Sequence, residues 1–87
     1  MLRLWGRIIK NNHLIKDATV IRNDDTRTHS ILGGLEELCV LWDLGKPIWL
    51  DNNVEDFKRH AKTRFYQDNF IEEIDFDYLE IRILDES

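Results

Sequence analysis

Leu2-Arg3-Leu4-Trp5-Gly6-Arg7-Ile8-Ile9-Lys10, then Asn11-Asn12, then a return from Leu14 to Arg22: this stretch decides the fold. Asparagine tolerates a positive φ better than any other non-glycine residue, so Asn11-Asn12 suits a two-residue primed turn. Residues 2–22 therefore read as a β-hairpin. In the simplest register Ile9 faces Leu14, Ile8 faces Ile15, Trp5 faces Ala18 and Leu4 faces Thr19. That register sets Arg7 against Lys16, a like-charge pair that a bulge or a longer loop would relieve.

After the hairpin, Asn23-Asp24-Asp25-Thr26 supplies N-cap residues for a helix running to about Asp43. Ile31, Leu35, Leu38 and Trp42 are spaced four, three and four apart, which makes one apolar stripe. Leu32, Cys39 and Leu41 widen it, as expected of a helix lying across a sheet. Gly33-Gly34 inside this helix costs about 1 kcal/mol per residue against alanine, and a close approach of helix to sheet accounts for that cost. Leu44-Gly45-Lys46-Pro47 stops the helix, with Gly45 expected at the C′ position.

Ile48-Trp49-Leu50 is a short apolar run that suits a brief strand or a plug on the core. Asp51-Asn52-Asn53 opens a second helix, with Asn52 and Glu55 spaced as a capping box and Val54, Phe57 and Ala61 on the inner side. Residues 63–74 fit a short strand with a loop as well as a helical turn. From Tyr78 to Leu84 the pattern alternates, placing Leu79, Ile81 and Ile83 on one face of a strand. Together these elements predict a single α+β domain over residues 1–87. It is a two-layer arrangement, with the N-terminal β-hairpin and C-terminal strand in a small, mostly antiparallel sheet and two helices packed on one face.

Size and composition bound the function. With 87 residues, 43% hydrophobic and 33% charged, the chain holds one small core and has too many large apolar residues to be disordered. No apolar run reaches the roughly 18 residues of a membrane-spanning helix, and Met1–Lys10 lacks the uninterrupted apolar stretch of a signal peptide. The single cysteine, Cys39, excludes an internal disulfide and a cysteine-rich zinc site. A cytoplasmic location is expected.

The net charge of −5 is unevenly distributed. Residues 1–22 carry +4, residues 23–57 carry −6, residues 58–64 carry +4, and the segment from Gln67 onward carries −7. A basic hairpin beside an acidic C-terminal strand gains from opposite-charge cross-strand pairs, and this internal use is the favoured explanation. The other is a polar surface that steers a charged partner.

No catalytic or phosphate-binding motif is present, and no cofactor is expected. Cys39 lies on the inner side of the first helix and reads as a small core residue rather than a nucleophile. Asp25/His29 and Asp56/His60 are each spaced four apart, which suits two local ion pairs better than a shared metal site. Glu72/Glu73 and Asp75/Asp77 are neighbouring acids with no assigned catalytic role. Among Phe57–Tyr66, the cations Lys58, Arg59, Lys62 and Arg64 interleave with aromatics and, with Tyr66, form a candidate nucleic-acid contact. Three tryptophans exceed what this core needs, and Trp49, in a short connecting segment, is the candidate centre of a protein interface.

Leu4-Trp5-Gly6-Arg7-Ile8-Ile9-Lys10, Lys46-Pro47-Ile48-Trp49-Leu50-Asp51, Asp56-Phe57-Lys58-Arg59 and the run from Asp68 to Ile81 resemble a family of small bacterial proteins without an assigned function. The resemblance spans nearly the whole chain. It implies a bacterial, stand-alone cytoplasmic domain and transfers no functional residue. The expected function is that of a non-enzymatic protein-interaction module, adaptor or regulatory, that contacts a protein partner or another copy of itself. The alternative is a nucleic-acid-binding domain acting through residues 57–66. No membrane partner is expected.

Overall fold

Asn11 and Asn12 both adopt left-handed backbone conformations, with φ of 52° and 64°. They close the hairpin between β1 (Leu2–Lys10) and β2 (His13–Arg22) in a computed structural model that describes residues 1–87. The helices α1 (Arg27–Leu41) and α2 (Asp51–His60) follow, then β3 (Lys62–Phe65), a 3-10 turn at Gln67–Asn69, and β4 (Tyr78–Glu86). The sheet order is β2-β1-β4-β3 and every pairing is antiparallel. Both helices pack on one face. This is the two-layer α+β arrangement that the sequence predicts, with β3 as an added edge strand.

The hairpin register differs from the simplest one beyond the two pairs next to the turn, Lys10–His13 and Ile9–Leu14. Ile9 lies opposite Leu14, but a bulge then shifts the register, so that Ile8 meets Lys16, Arg7 meets Asp17, Trp5 meets Thr19 and Leu4 meets Val20. The extra residue exchanges an Arg7–Lys16 repulsion for an Arg7–Asp17 attraction, which is the physical reason for the shift.

Thr26 caps α1, its hydroxyl accepting from the His29 N–H at 3.1 Å. Ile31, Leu35, Leu38 and Cys39 are buried, whereas Leu32 and Leu41 are 44% and 63% exposed and do not widen the buried stripe. The helix also ends earlier than the glycine signal implies. Asp43, at φ 54°, takes the left-handed position, the Leu44 N–H donates to the Cys39 carbonyl at 2.8 Å, and the Asp43 N–H donates to that of Val40 at 3.2 Å. These two bonds satisfy orphan carbonyls of the last turn, with Asp43 in the role expected of Gly45.

Two glycines set the distance between the layers. A Cβ on Gly34 of α1 would stand 2.8 Å from a Leu4 methyl carbon, and one on Gly6 of β1 would stand 2.5 Å from a methyl carbon of Leu38. Leu4 and Leu38 are both fully buried. They anchor a core that also holds Leu2, Phe57, Phe65, Leu79 and Ile81.

A buried amide pair attaches the remaining segments. Asn53 of α2 donates to the Thr63 hydroxyl and to the Arg64 carbonyl, each at 2.9 Å, and Asn69 donates to the Asn53 side-chain oxygen and to the Ile48 carbonyl, each at 2.8 Å. The Asn53 oxygen also accepts from the Leu50 N–H, so Leu50 and Asn53, rather than Asn52 and Glu55, form the start of α2. Residues 48–50 form no strand, and Val54 is 41% exposed rather than on the inner side. No buried side-chain nitrogen or oxygen lacks a partner, as a stable polar core requires.

The two adjacent glycines of α1 differ in what surrounds them. Around Gly33 the nearest group is the Arg22 guanidinium, the mobile end of a long side chain. Gly33→Ala therefore leaves stability within about 0.5 kcal/mol of the parent, the helix gain offsetting the displaced arginine. Gly34→Ala overpacks Leu4 and lowers stability by about 1–3 kcal/mol. Urea denaturation of the two variants checks this, and equal effects would refute a Gly34-defined spacing.

Candidate binding surface

Alternation along the strands sends one set of side chains to the helices and the other to the uncovered side of the sheet. On that uncovered face stand Arg3, Trp5 and Arg7 from β1, Asp17, Thr19 and Ile21 from β2, and Tyr78, Glu80 and Arg82 from β4. Lys62 and Arg64 of β3 complete it.

Glu80 organises this face. It is 2% exposed although no helix covers it. Arg7 donates to one carboxylate oxygen at 3.0 Å and Arg64 to the other at 2.9 Å. Burial alone would raise the Glu80 pKa, but the hydrogen bonds from Arg64 and Arg7 outweigh it and hold the carboxyl below the usual glutamate value. The bond that Arg64 donates to Glu80 in turn raises the Arg64 pKa.

Aromatic rings extend the cluster in both directions. The Arg64 guanidinium lies 4.5 Å from the Tyr78 ring centre, and Arg7 lies 5.1 Å from that of Trp5. The Trp5 indole N–H donates to Asp17 at 3.0 Å, and the rings of Tyr66 and Tyr78 are 5.5 Å apart. Arg3 pairs with Asp85 at 2.8 Å. The basic hairpin and the acidic C-terminal strand thus exchange cross-strand pairs, the internal use of charge favoured from the sequence.

Two cations on this face make no such pair. Lys62 lies directly opposite Arg82 across the β3–β4 ladder, both are partly buried, and neither forms an ion pair.

The structure divides the five residues of the basic–aromatic segment. Lys62 and Arg64 stand on the open face, and Tyr66 packs at its margin with its ring tilted against that of Tyr78. Lys58 and Arg59 belong to α2 in the helical layer, where Arg59 pairs with Glu55 at 3.2 Å. Trp49 is half-buried, edge-on to Phe57 and Phe65 at 5.8 and 5.2 Å, and lines a cleft of about 320 Å³ with Ile31, Leu32 and Val54. It is a core anchor with one accessible edge.

Trp5, Arg7, Tyr78 and Arg82 were not singled out from the sequence. Their signal lay in the alternation itself, because they occupy the positions between the core residues Leu4, Gly6, Leu79 and Ile81.

The other reactive groups are engaged or isolated. Burial pushes the Cys39 thiol up to about 11, which leaves it protonated at neutral pH. His29 pairs with Asp25 at 2.5 Å, and this contact raises the imidazole pKa. No three His, Cys, Asp or Glu side chains come together to hold a metal. Glu72 accepts from the Gly45 N–H at 2.6 Å and Asp77 from that of Asn11 at 2.9 Å, which are structural roles. No helix is long and apolar enough to cross a membrane.

No protein-family model matches the chain, and comparison with curated proteins and with solved structures gave no match.

A depressed carboxylate stabilises the fold fully above the ordinary glutamate pKa, and that contribution is lost as pH falls through the folded value. Glu80→Gln therefore lowers stability by about 2 kcal/mol at pH 7. It also flattens the loss of stability as pH falls from neutral to below the ordinary glutamate value. Urea midpoints measured across that range test both effects, and a variant with the parent's pH slope would contradict the assignment to Glu80.

Proposed function

We propose that this chain is a non-catalytic binding module, that its working surface is the open face of the sheet, and that its partner is a protein with an acidic surface. The observation that carries this reading is the unpaired Lys62–Arg82 couple. Like charges directly opposite each other on neighbouring strands destabilise a sheet, and no carboxylate of this chain relieves them. An external carboxylate would.

The rest of the face supports the same reading. Trp, Tyr and Arg are the residue types that dominate binding hot spots. Arg7 and Arg64 are already fixed by Glu80, so little side-chain freedom remains to be lost on association. The face holds five cations against Asp17, Glu80 and Asp85, while the remainder of the chain is strongly acidic. Two copies meeting face to face would set cation against cation, which argues for an acidic partner over symmetric self-association through this surface.

A single-stranded nucleic acid is the second reading. It is favoured by Lys62, Arg64, Tyr66, Tyr78 and Arg82 lying close together on one surface, where phosphates and bases could both be met. The excess of carboxylates elsewhere, and the pairing of Arg7 and Arg64 within the chain, place it second.

The test is capture from a lysate of the native cells, with bound protein and nucleic acid both quantified. The parent and Lys58→Glu/Arg59→Glu retain the same acidic protein, Lys62→Glu/Arg82→Glu loses it, and moderate salt elutes it. Equal retention by all three would overturn the assignment to the sheet face. Enrichment of nucleic acid alone, lost in the same variant, would establish the second reading instead.

Relief of the like-charge couple also has a measurable effect without any partner. The single variant Lys62→Glu gains about 0.2–1 kcal/mol of stability in urea denaturation. A loss would show that the couple is already screened.

A further inference from the structure

The hairpin is longer than the helix that covers it. Helix α1 ends at Leu41, whereas β1 and β2 continue to the Asn11-Asn12 turn, so the far end of the helix-facing side of the hairpin has no helix above it. A cleft of about 450 Å³ opens there, within the range of small-molecule sites. Ile8 and Ile15 of the hairpin line it together with Trp42, Leu44 and Phe76 from the connecting segments.

The bulge shapes this cleft. In a regular strand Ile15 and Lys16 would point to opposite faces, but the extra residue lets both consecutive side chains line the same hollow. Lys10 and Lys16 stand in the lining, both exposed, and neither forms an ion pair. Asp75 is the one carboxylate present and pairs with neither lysine. Apolar walls and two free ammonium groups complement a molecule with an apolar body and a single anionic head.

We propose that this cleft binds a small amphipathic carboxylate, with its acyl or aryl chain against Ile15, Trp42 and Phe76 and its carboxylate at Lys10 and Lys16. The site is separate from the open face of the sheet, so its occupation and the capture of a protein partner are independent.

Decanoate, kept below its micellar concentration, is the probe, and the indole N–H resonance of Trp42 is the reporter. That resonance is assigned by its disappearance in Trp42→Phe. Titration shifts it saturably while the Trp5 resonance on the other side of the sheet stays in place. Decanol, with the same chain and no charge, binds about tenfold more weakly, and Lys10→Gln/Lys16→Gln weakens decanoate by about the same factor. Both lysines are exposed, so the variant keeps the parent's dispersed spectrum. No saturable shift, equal shifts at all three indoles, or equal affinity for decanol and decanoate would each overturn the proposal.

Discussion

The separation between α1 and β1 is the constraint on which the rest of this structure depends. It is set by two residues that lack side chains, Gly34 on the helix and Gly6 on the strand, each facing a fully buried leucine of the other element. Leu4 and Leu38 fill the space that a Cβ would otherwise occupy. Gly34 therefore lowers the intrinsic stability of the helix but permits close packing of a small core, where every methylene in contact matters. A wider spacing would leave a void beneath α1 that a chain of this size has few residues to fill.

A layer on only one side has a second effect. The uncovered side must satisfy its own polar groups, and it does so through Glu80. The carboxylate is removed from water by side chains rather than by a helix, with Arg7 and Arg64 forming the cover. Those arginines are in turn held against Trp5 and Tyr78. The outcome is a solvent-facing surface with the fixed geometry of an interior. Lys62 and Arg82 are the exceptions, the two cations of this face that pair with no carboxylate of the chain.

Features that depend on a local rule were legible in the sequence. Asn11-Asn12 marked the hairpin turn because few residues accept two positive φ values in succession, and Thr26 marked the helix start through its capping hydroxyl. The alternation from Tyr78 onward marked β4. Features decided by distant neighbours were not. The bulge at Ile15 answers to the pairing of Arg7 with Asp17, ten positions apart in the chain. Strand β3 is only four residues long, and its place depends on hydrogen bonds from Asn53 and on pairing with β4. Asp43 displaced Gly45 as the helix terminator because α1 ended two residues early. On the candidate surface, the segment from Lys58 to Tyr66 looked continuous in sequence, but the change from helix to strand at Ala61 divided it between the two layers. Trp5 was visible as one tryptophan of three, yet its partners come from β2 and from Arg7, which no local pattern reveals.

The order β2-β1-β4-β3 also governs how the chain is made. Of the four strands, β4 is synthesised last and occupies a central place, between β1 and β3. While a ribosome is still extending the chain, the hairpin forms from its own local turn, but one edge of β1 stays unpaired until Glu86 has emerged. During that interval Leu2, Leu4 and Ile8 have no completed sheet to pack within, and β3 has no strand beside it, only α2. The sheet is therefore closed only once β4 has been made, and until then the hairpin stands without its central neighbour.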